Sequence, residues 1–303
     1  MMLPDFEGWA IFALVAEHGS FSAAVRELNT SKATVSKAIA RLERSLGVQL
    51  FHRTSRRLTL SDSGAALVER ARLILQEGRA ADECGKEGAV APAGLVRMAA
   101  PMSFGLSHLG APLAAFLVEH PGVAVELALS DARSDLVAEG FDLALRIGTL
   151  EDSTLVARKL RAVRLLACAA PAWIARTGAP THPRELSPDA LIAYQNTRDA
   201  PRATFRRGEE EVVLPLSGRL RANNAEVTLP TLFAGLGVAI LPDFVAEPHL
   251  ASGALQVILP DWQLPELGLF LVTPPGRLRP RRVELLLEYL TNAFAGTKGL
   301  GQN

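Results

Sequence analysis

The sequence predicts an α/β chain in two parts: a small helical module closed by a hairpin, then a long helix leading into a strand–helix–strand body. Three observations predict this. Before residue 50, apolar residues recur at three- to four-residue spacing, separated by cap and stop residues. A stretch rich in Val, Phe, Leu and Thr follows, centred on a polar turn. Beyond residue 94, short apolar runs of strand length alternate with helical ones. A chain of 303 residues is long enough for roughly two domains. Its hydrophobic share of 49% with 6% aromatics fits a well-packed α/β or helical protein, not a disordered one.

The elements follow in order. Phe6, Trp9, Ala13 and Ala16 mark the face of a first helix, which Gly19 stops. Ser20 caps a second helix, with Phe21, Ala24, Val25 and Leu28 on one face, and Asn29-Thr30 breaks it. Ser31 caps a third, with Val35, Ile39, Leu42 and Leu46 inward and Gly47 at its end. "VQLFHRTSRRLTL" reads as a hairpin about its Thr-Ser-Arg-Arg turn. Ser61 opens a long fourth helix with Leu67, Ala71 and Ile74 among its apolar positions. The small module before it cannot cover that stripe, so a partner surface is expected. Gly85–Gly94, rich in Gly, Pro and Ala, is the linker.

In the body, "LVRMAA", "GVAVELALS" and "DLALRIG" are expected strands, with "GLSHLGAPLAAFLVEH" and the short "RSDLVAEG" as helices between them. A second, loosely similar unit runs from about Leu165 to Leu259. It holds the strand "RLLACAA", a helix from Pro171, the helix "AEVTLPTLFAGLG" and the strand "VAILP". "LGLFLVTP" adds a last strand and "RPRRVELLLEYLTNAFAG" a last helix. Such alternation predicts parallel strands with helices on their faces. The expected division is residues 1–60 for the helical module, 61–90 for the long helix and hinge, and 91–303 for the body.

Charge is unevenly placed. The chain balances 32 Lys and Arg against 32 Asp and Glu, yet Ser20–Leu60 holds eight basic residues against Glu27 and Glu43. A charged face is usually only a solvated one. Here it coincides with two capped helices joined by a tight turn and with an Arg-rich hairpin, which is a winged helix-turn-helix arrangement. Ser31, Lys32, Ala33, Thr34, Ser36, Lys37 and Arg41 fall opposite the inward face of the third helix. Small and hydroxyl residues at its N-terminus let it approach the major groove, and backbone N–H groups there favour a phosphate. Ser22 and Arg26 on the second helix lie beside the DNA backbone, and Arg53, Arg56 and Arg57 form the wing.

Over Phe12–Gly64 the chain resembles the DNA-binding region of LysR-type transcriptional regulators. The resemblance rests on the GSF–AA–L run, the S-x-x-x-V-S-x-x-I-x-x-L-E-x-x-L-G helix and the L-F-x-R-T-S-R-x-L-x-L-S wing. It extends over the whole chain and implies a winged helix, a long linker helix and a two-lobed effector domain of the periplasmic-binding-protein type, with one lobe from about 91–162 and 267–303 and the other from about 163–266. It also implies a dimer paired through the long helix, with tetramers built from dimers common. The family often has Arg where this chain has Lys37, and Pro near Ala33; Arg and Lys do not read bases equivalently.

In an open α/β domain, ligands sit at strand carboxyl ends beside helix N-termini. Those ends supply Ser103, Phe104, Ser130, Arg146 and Ile147 from one lobe, and Asn196, Asn223 and Asn224 from the other. In the resembled family, effectors lie between the lobes at matching positions. Ser103 can hold a carboxylate and Arg146 can neutralise one, so the expected effector is a small anionic organic metabolite. Structural roles compete: Ser103 as a helix cap, Arg146 paired with Asp142 or Glu139, Asn223 in a turn.

Enzyme signatures are missing from the sequence: there is no G-x-S-x-G, no H-E-x-x-H and no P-loop lysine. No catalytic residue, metal ligand or cofactor is therefore assigned. Six scattered histidines form no i,i+4 pair. Cys84 and Cys168 fit neither a disulfide framework nor a zinc spacing, and read as ordinary thiols in a reducing compartment. The N-terminus lacks the basic region of a signal peptide, and no run reaches the ~18 apolar residues of a membrane span. A cytoplasmic, ligand-responsive transcription factor is the resulting expectation. The alternatives are a solute-binding or enzymatic α/β protein with an accessory helical domain, and a constitutive nucleoid-type DNA binder.

Overall fold

A computed structural model describes residues 3–53, 58–85, 92–132, 136, 139–149, 155–194, 202–275 and 279–294. The chain forms two compact units, one from Met1–Ala91 and the other from most of the residues beyond.

In the N-terminal unit, α1 (Phe6–His18) begins where Gly8 N donates to Asp5 Oδ1 at 3.0 Å, and ends at Gly19 in the left-handed region. α2 (Phe21–Glu27) starts at Ser20, whose Oγ accepts from Ala23 N. α3 (Lys32–Leu46) starts at Ser31, whose Oγ accepts from Thr34 N at 3.1 Å, and ends at Gly47, φ 72°. Each polar cap satisfies an N–H that its helix leaves unpaired. β1 (Phe51–Arg53) and β2 (Leu58–Leu60) form the antiparallel hairpin, with its turn outside the described residues. Ser61 Oγ then accepts from Gly64 N at 3.0 Å and opens α4 (Asp62–Gly85).

The predicted faces need correction. In α1, Phe6 is exposed, whereas the consecutive residues Ile11–Val15 are all buried, because α1 packs against α2, α3 and α4 at once. A central helix loses its single-stripe periodicity. In α3, Leu46 is exposed in the last turn and Ala38 is buried in its stead. In α4, Val68 and Ala71 are buried, while Leu67 and Ile74 are half-buried. Phe12 meets Phe51 edge-on at 5.3 Å, which fastens α1 to the hairpin.

The C-terminal unit has two five-stranded sheets. The first contains β3 (Gly94–Ala100), β4 (Val123–Leu129), β5 (Leu143–Gly148), β6 (Val156–Val163) and β14 (Leu267–Thr273), in the order β4-β3-β5-β14-β6. The second contains β7 (Leu165–Ala169), β8 (Leu191–Tyr194), β11 (Arg221–Ala222), β12 (Val238–Pro242) and β13 (Gln256–Val257), in the order β11-β8-β12-β7-β13. β9 (Arg202–Arg207) and β10 (Glu210–Pro215) make a separate hairpin. Two lobes result, because the chain leaves the first sheet after β6 and returns to it for β14.

The strands are not all parallel, as alternation alone implied. β14 runs antiparallel to both β5 and β6, and β7 antiparallel to β12 and β13. These are the strands beside the two crossings between lobes, where no helix intervenes to reverse the chain. β6, β8–β10, β13 and the helix Asp243–Ala251 are elements the sequence pattern left unassigned. The short helix expected over 133–140 falls largely outside the described residues.

The helical run Met102–Glu119 is apolar and long enough to cross a membrane, yet Phe104, Leu109, Leu113 and Phe116 lie in the core shared with the last helix, Arg281–Phe294. Its segment Gly105–Leu109 is wound as a π-helix, and Ser107 Oγ donates to Ser103 O.

Candidate nucleic-acid interface and effector cleft

The first turns of α3 present Ser31, Lys32, Ala33, Thr34 and Lys37 to solvent, with Ser36 half-buried. Val35, Ala38, Ile39 and Leu42 are buried on the opposite side. The helix is therefore held by its apolar face while its small, hydroxyl and basic side chains remain available to a groove. Ser22 and Arg26 are exposed on α2. Ser31 is a working cap whose Oγ also bonds Thr34 Oγ1 at 2.9 Å. Arg53 stands in β1; Arg56 and Arg57 lie outside the described residues.

Arg41 departs from the expected open reading face. Its Nε donates to Asp5 Oδ2 at 2.6 Å, and its Nη2 to Asp5 Oδ1 at 2.9 Å and Glu7 Oε2 at 2.7 Å. Position on α3 identifies a cation; only tertiary contact shows two carboxylates beside it. Glu27 was missed as well. It bonds His18 through Oε2 and Arg79 through Oε1 at 2.6 Å, so α2 is tied to both α1 and α4.

In the C-terminal unit, Ser103, Phe104, Ser130, Arg146 and Ile147 line one cavity of about 640 Å³ between the lobes. Asn223 and Asn224 line a neighbouring crevice with Ser130 and Asp131, and Asn196 lies outside the described residues. Ser103 is not the helix cap: Met102 N donates to Asp131 Oδ1 at 3.0 Å. Instead Ser103 Oγ accepts from Asn224 Nδ2 at 3.1 Å, and the same amide donates to Asp131 Oδ2 at 2.8 Å. Asn224 Oδ1 accepts from Glu226 N at 2.9 Å. One side chain of the second lobe thus joins the starts of two helices on opposite sides of the cleft.

Phe104 is fully buried and forms cavity wall, stacked on His108 at 4.9 Å and edge-on to Phe244 at 5.3 Å. Burial, and secondarily the Arg161 charge, pull the His108 pKa down, so the ring is neutral near pH 7. Sequence reasoning also missed Arg202 and Thr204, which line the cavity from β9. The alternation in "RATFRR" and "EEVVLP" about Gly208 signals that hairpin.

Where β6 passes into β7, Asp243 is 1% exposed. Its carboxylate accepts from Arg164 N at 3.2 Å and Phe244 N at 2.8 Å, with Arg161 Nη2 at 3.8 Å. A buried carboxylate so supported fixes the crossover instead of straining it. Among the described residues no cluster of three or more metal-ligating side chains occurs.

The family model for the LysR substrate binding domain matches residues 90–295, and that for the bacterial regulatory helix-turn-helix protein, lysR family, matches residues 6–65. The chain belongs to the LysR family of transcriptional regulators. This LysR-type regulator is 37% identical over 281 residues to the HTH-type transcriptional regulator PtxR of Pseudomonas aeruginosa, covering 92% of this chain and 89% of that one. It is 33% identical to the HTH-type transcriptional regulator DmlR of Escherichia coli, covering 97% and 95%. The full-length structure of the Vibrio cholerae virulence activator AphB is similar with a TM-score of 0.62, at 26% identity and 96% and 99% coverage. CrgA of Neisseria meningitidis is similar with a TM-score of 0.60, at 29% identity and the same coverage. Full-length OxyR C199D from Pseudomonas aeruginosa shares the fold, with a TM-score of 0.70 at 17% identity over 98% of this chain and 99% of that one. The regulator is thus a DNA-binding protein with a two-lobed, periplasmic-binding-protein-like effector domain, and its relatives are named as regulators, not enzymes.

Proposed function

We propose that the LysR-type regulator reads operator DNA through the first turns of α3, with Ser31, Lys32, Ala33, Thr34, Ser36 and Lys37 at the groove. Ser22, Arg26 and the wing residues Arg53, Arg56 and Arg57 lie along the backbone. The observation that carries this reading is the contiguous exposed face of α3, opposite a fully buried one. Lys37→Ala is expected to abolish selection of a preferred sequence from random duplexes while leaving the thermal unfolding transition in place. Selection of the same sequence by the variant would overturn the assignment. The protein acts in the cytoplasm, where operator DNA is reached.

The effector is a small anionic organic molecule held between lobes 91–162 with 267–303 and 163–266. Supporting this are two cations, Arg146 and Arg202, against one carboxylate, Asp131, on a cavity whose wall also includes Phe104, Ile147 and Phe270, suiting a carboxylate on an apolar body. Ser103, Ser130, Asn223 and Asn224 complete the polar set, with Asn196 in the same role. Residues 1–60 bind DNA and 61–90 connect and dimerise. Leu73 and Ile74 of α4 are half-buried and stand outside the apolar core of the N-terminal unit among the described residues. A second copy of α4 would cover them, giving a two-fold dimer, or a tetramer of dimers, for a two-half-site operator.

A further inference from the structure

Asp5, Glu7 and Arg41 carry an inference that rests on α3 being the DNA-facing helix. Among the described residues Lys32 and Lys37 form no ion pair, whereas Arg41 meets two carboxylates. Asp5 occupies both its Nε and Nη2 in a two-pronged contact, and Glu7 takes a further Nη2 hydrogen. Asp5 is anchored: it caps α1 through Gly8 N, where a helix N-terminus favours negative charge. The Arg41 hydrogen bond holds the Asp5 carboxyl below its ordinary pKa against the opposing effect of burial, so the pair is ionised at neutral pH. Withdrawing Arg41 toward a phosphate would leave two carboxylates facing the polyanion.

We propose that Asp5 and Glu7 are specificity-determining residues: they remove Arg41 from the phosphate-binding set and make it a strut between α1 and α3. Phosphate contacts add affinity for every sequence alike and carry no base information. One such contact fewer lowers the grip on non-specific DNA without touching the Ser31–Lys37 face. Arg41 is a positioning residue, and the two carboxylates act through it.

The test measures affinity of the full chain for a random-sequence duplex as sodium chloride is varied. Each phosphate contact contributes about 0.9 to the slope of log affinity against log salt. Lys37→Ala is expected to flatten the slope by about 0.9. Asp5→Asn with Glu7→Gln should steepen it by about 0.9, and adding Arg41→Ala to that pair should restore it. Asparagine keeps the cap, and thermal unfolding confirms that each variant folds. An unchanged slope in the double variant, or a steep slope persisting in the triple variant, would each overturn the clamp. A wild-type slope in Lys37→Ala would overturn the proposed interface itself, and the clamp's premise with it.

Discussion

Asn224 uses both ends of its amide, donating to Ser103 and Asp131 while accepting from Glu226 N. Asn224→Ala should destabilise the C-terminal unit by about 1–3 kcal/mol, since it leaves part-buried polar groups without partners. Asn224→Asp should cost more at neutral pH, because it sets a second carboxylate against Asp131, and should recover on acidification; thermal unfolding at about pH 3 and about pH 7, on either side of the ordinary Asp pKa of roughly 3.9, distinguishes the two. Burial pushes the Cys168 thiol up to about 12 from an ordinary 9.0. A raised thiol pKa means that above pH 9 the unfolded chain loses this proton while the native chain keeps it. The Cys168 contribution to stability is then complete below pH 9 and falls toward pH 12, by at most about 1.4 kcal/mol per pH unit. The unfolding free energy of Cys168→Ala, measured from pH 8 to 11 alongside the parent, should lack that component; parallel curves would refute it. The inter-lobe bond from Asn224 to Ser103 was not legible in the sequence, because it joins residues 121 apart.

At the scale of elements, α4 separates two kinds of glycine. A Cβ on Gly64 would come within 2.1 Å of Leu50 O, whereas one on Gly78 would meet nothing within 4 Å. Gly64→Ala should therefore destabilise the N-terminal unit by about 1–3 kcal/mol, and Gly78→Ala should stabilise it by up to about 1 kcal/mol. Chemical denaturation read by circular dichroism gives both signs. Caps and stops were legible because they act locally: Ser20, Ser31, Ser61, Gly19 and Gly47 all do what their sequence positions imply. Helix faces were less so. Phe6 and Leu46 satisfy a helical period and remain exposed, since period says which residues share a side, not how many neighbours surround a helix.

At the scale of the whole molecule, the regulator combines a DNA-binding unit with an effector-binding one, and the proposed pairing through α4 would use Leu73 and Ile74. Ile74→Glu should shift sedimentation toward the monomer without lowering the melting temperature of the N-terminal unit, since the side chain stands outside that unit's core; an unchanged sedimentation profile would count against pairing through α4. The DNA-binding module was legible from local signals, namely hydrophobic period, cap residues and motif spacing; its motifs carried the family resemblance, and the two-lobed plan followed from that resemblance. Tertiary structure alone decided the rest. It turned β7 and β14 antiparallel at the lobe crossings, joined Ser103 to Asn224, and placed Asp5 and Glu7 on Arg41. The physical reason is common to all three. Strand direction and charge pairing depend on which distant segments folding brings within a few ångströms, and residue spacing along the chain carries no record of that.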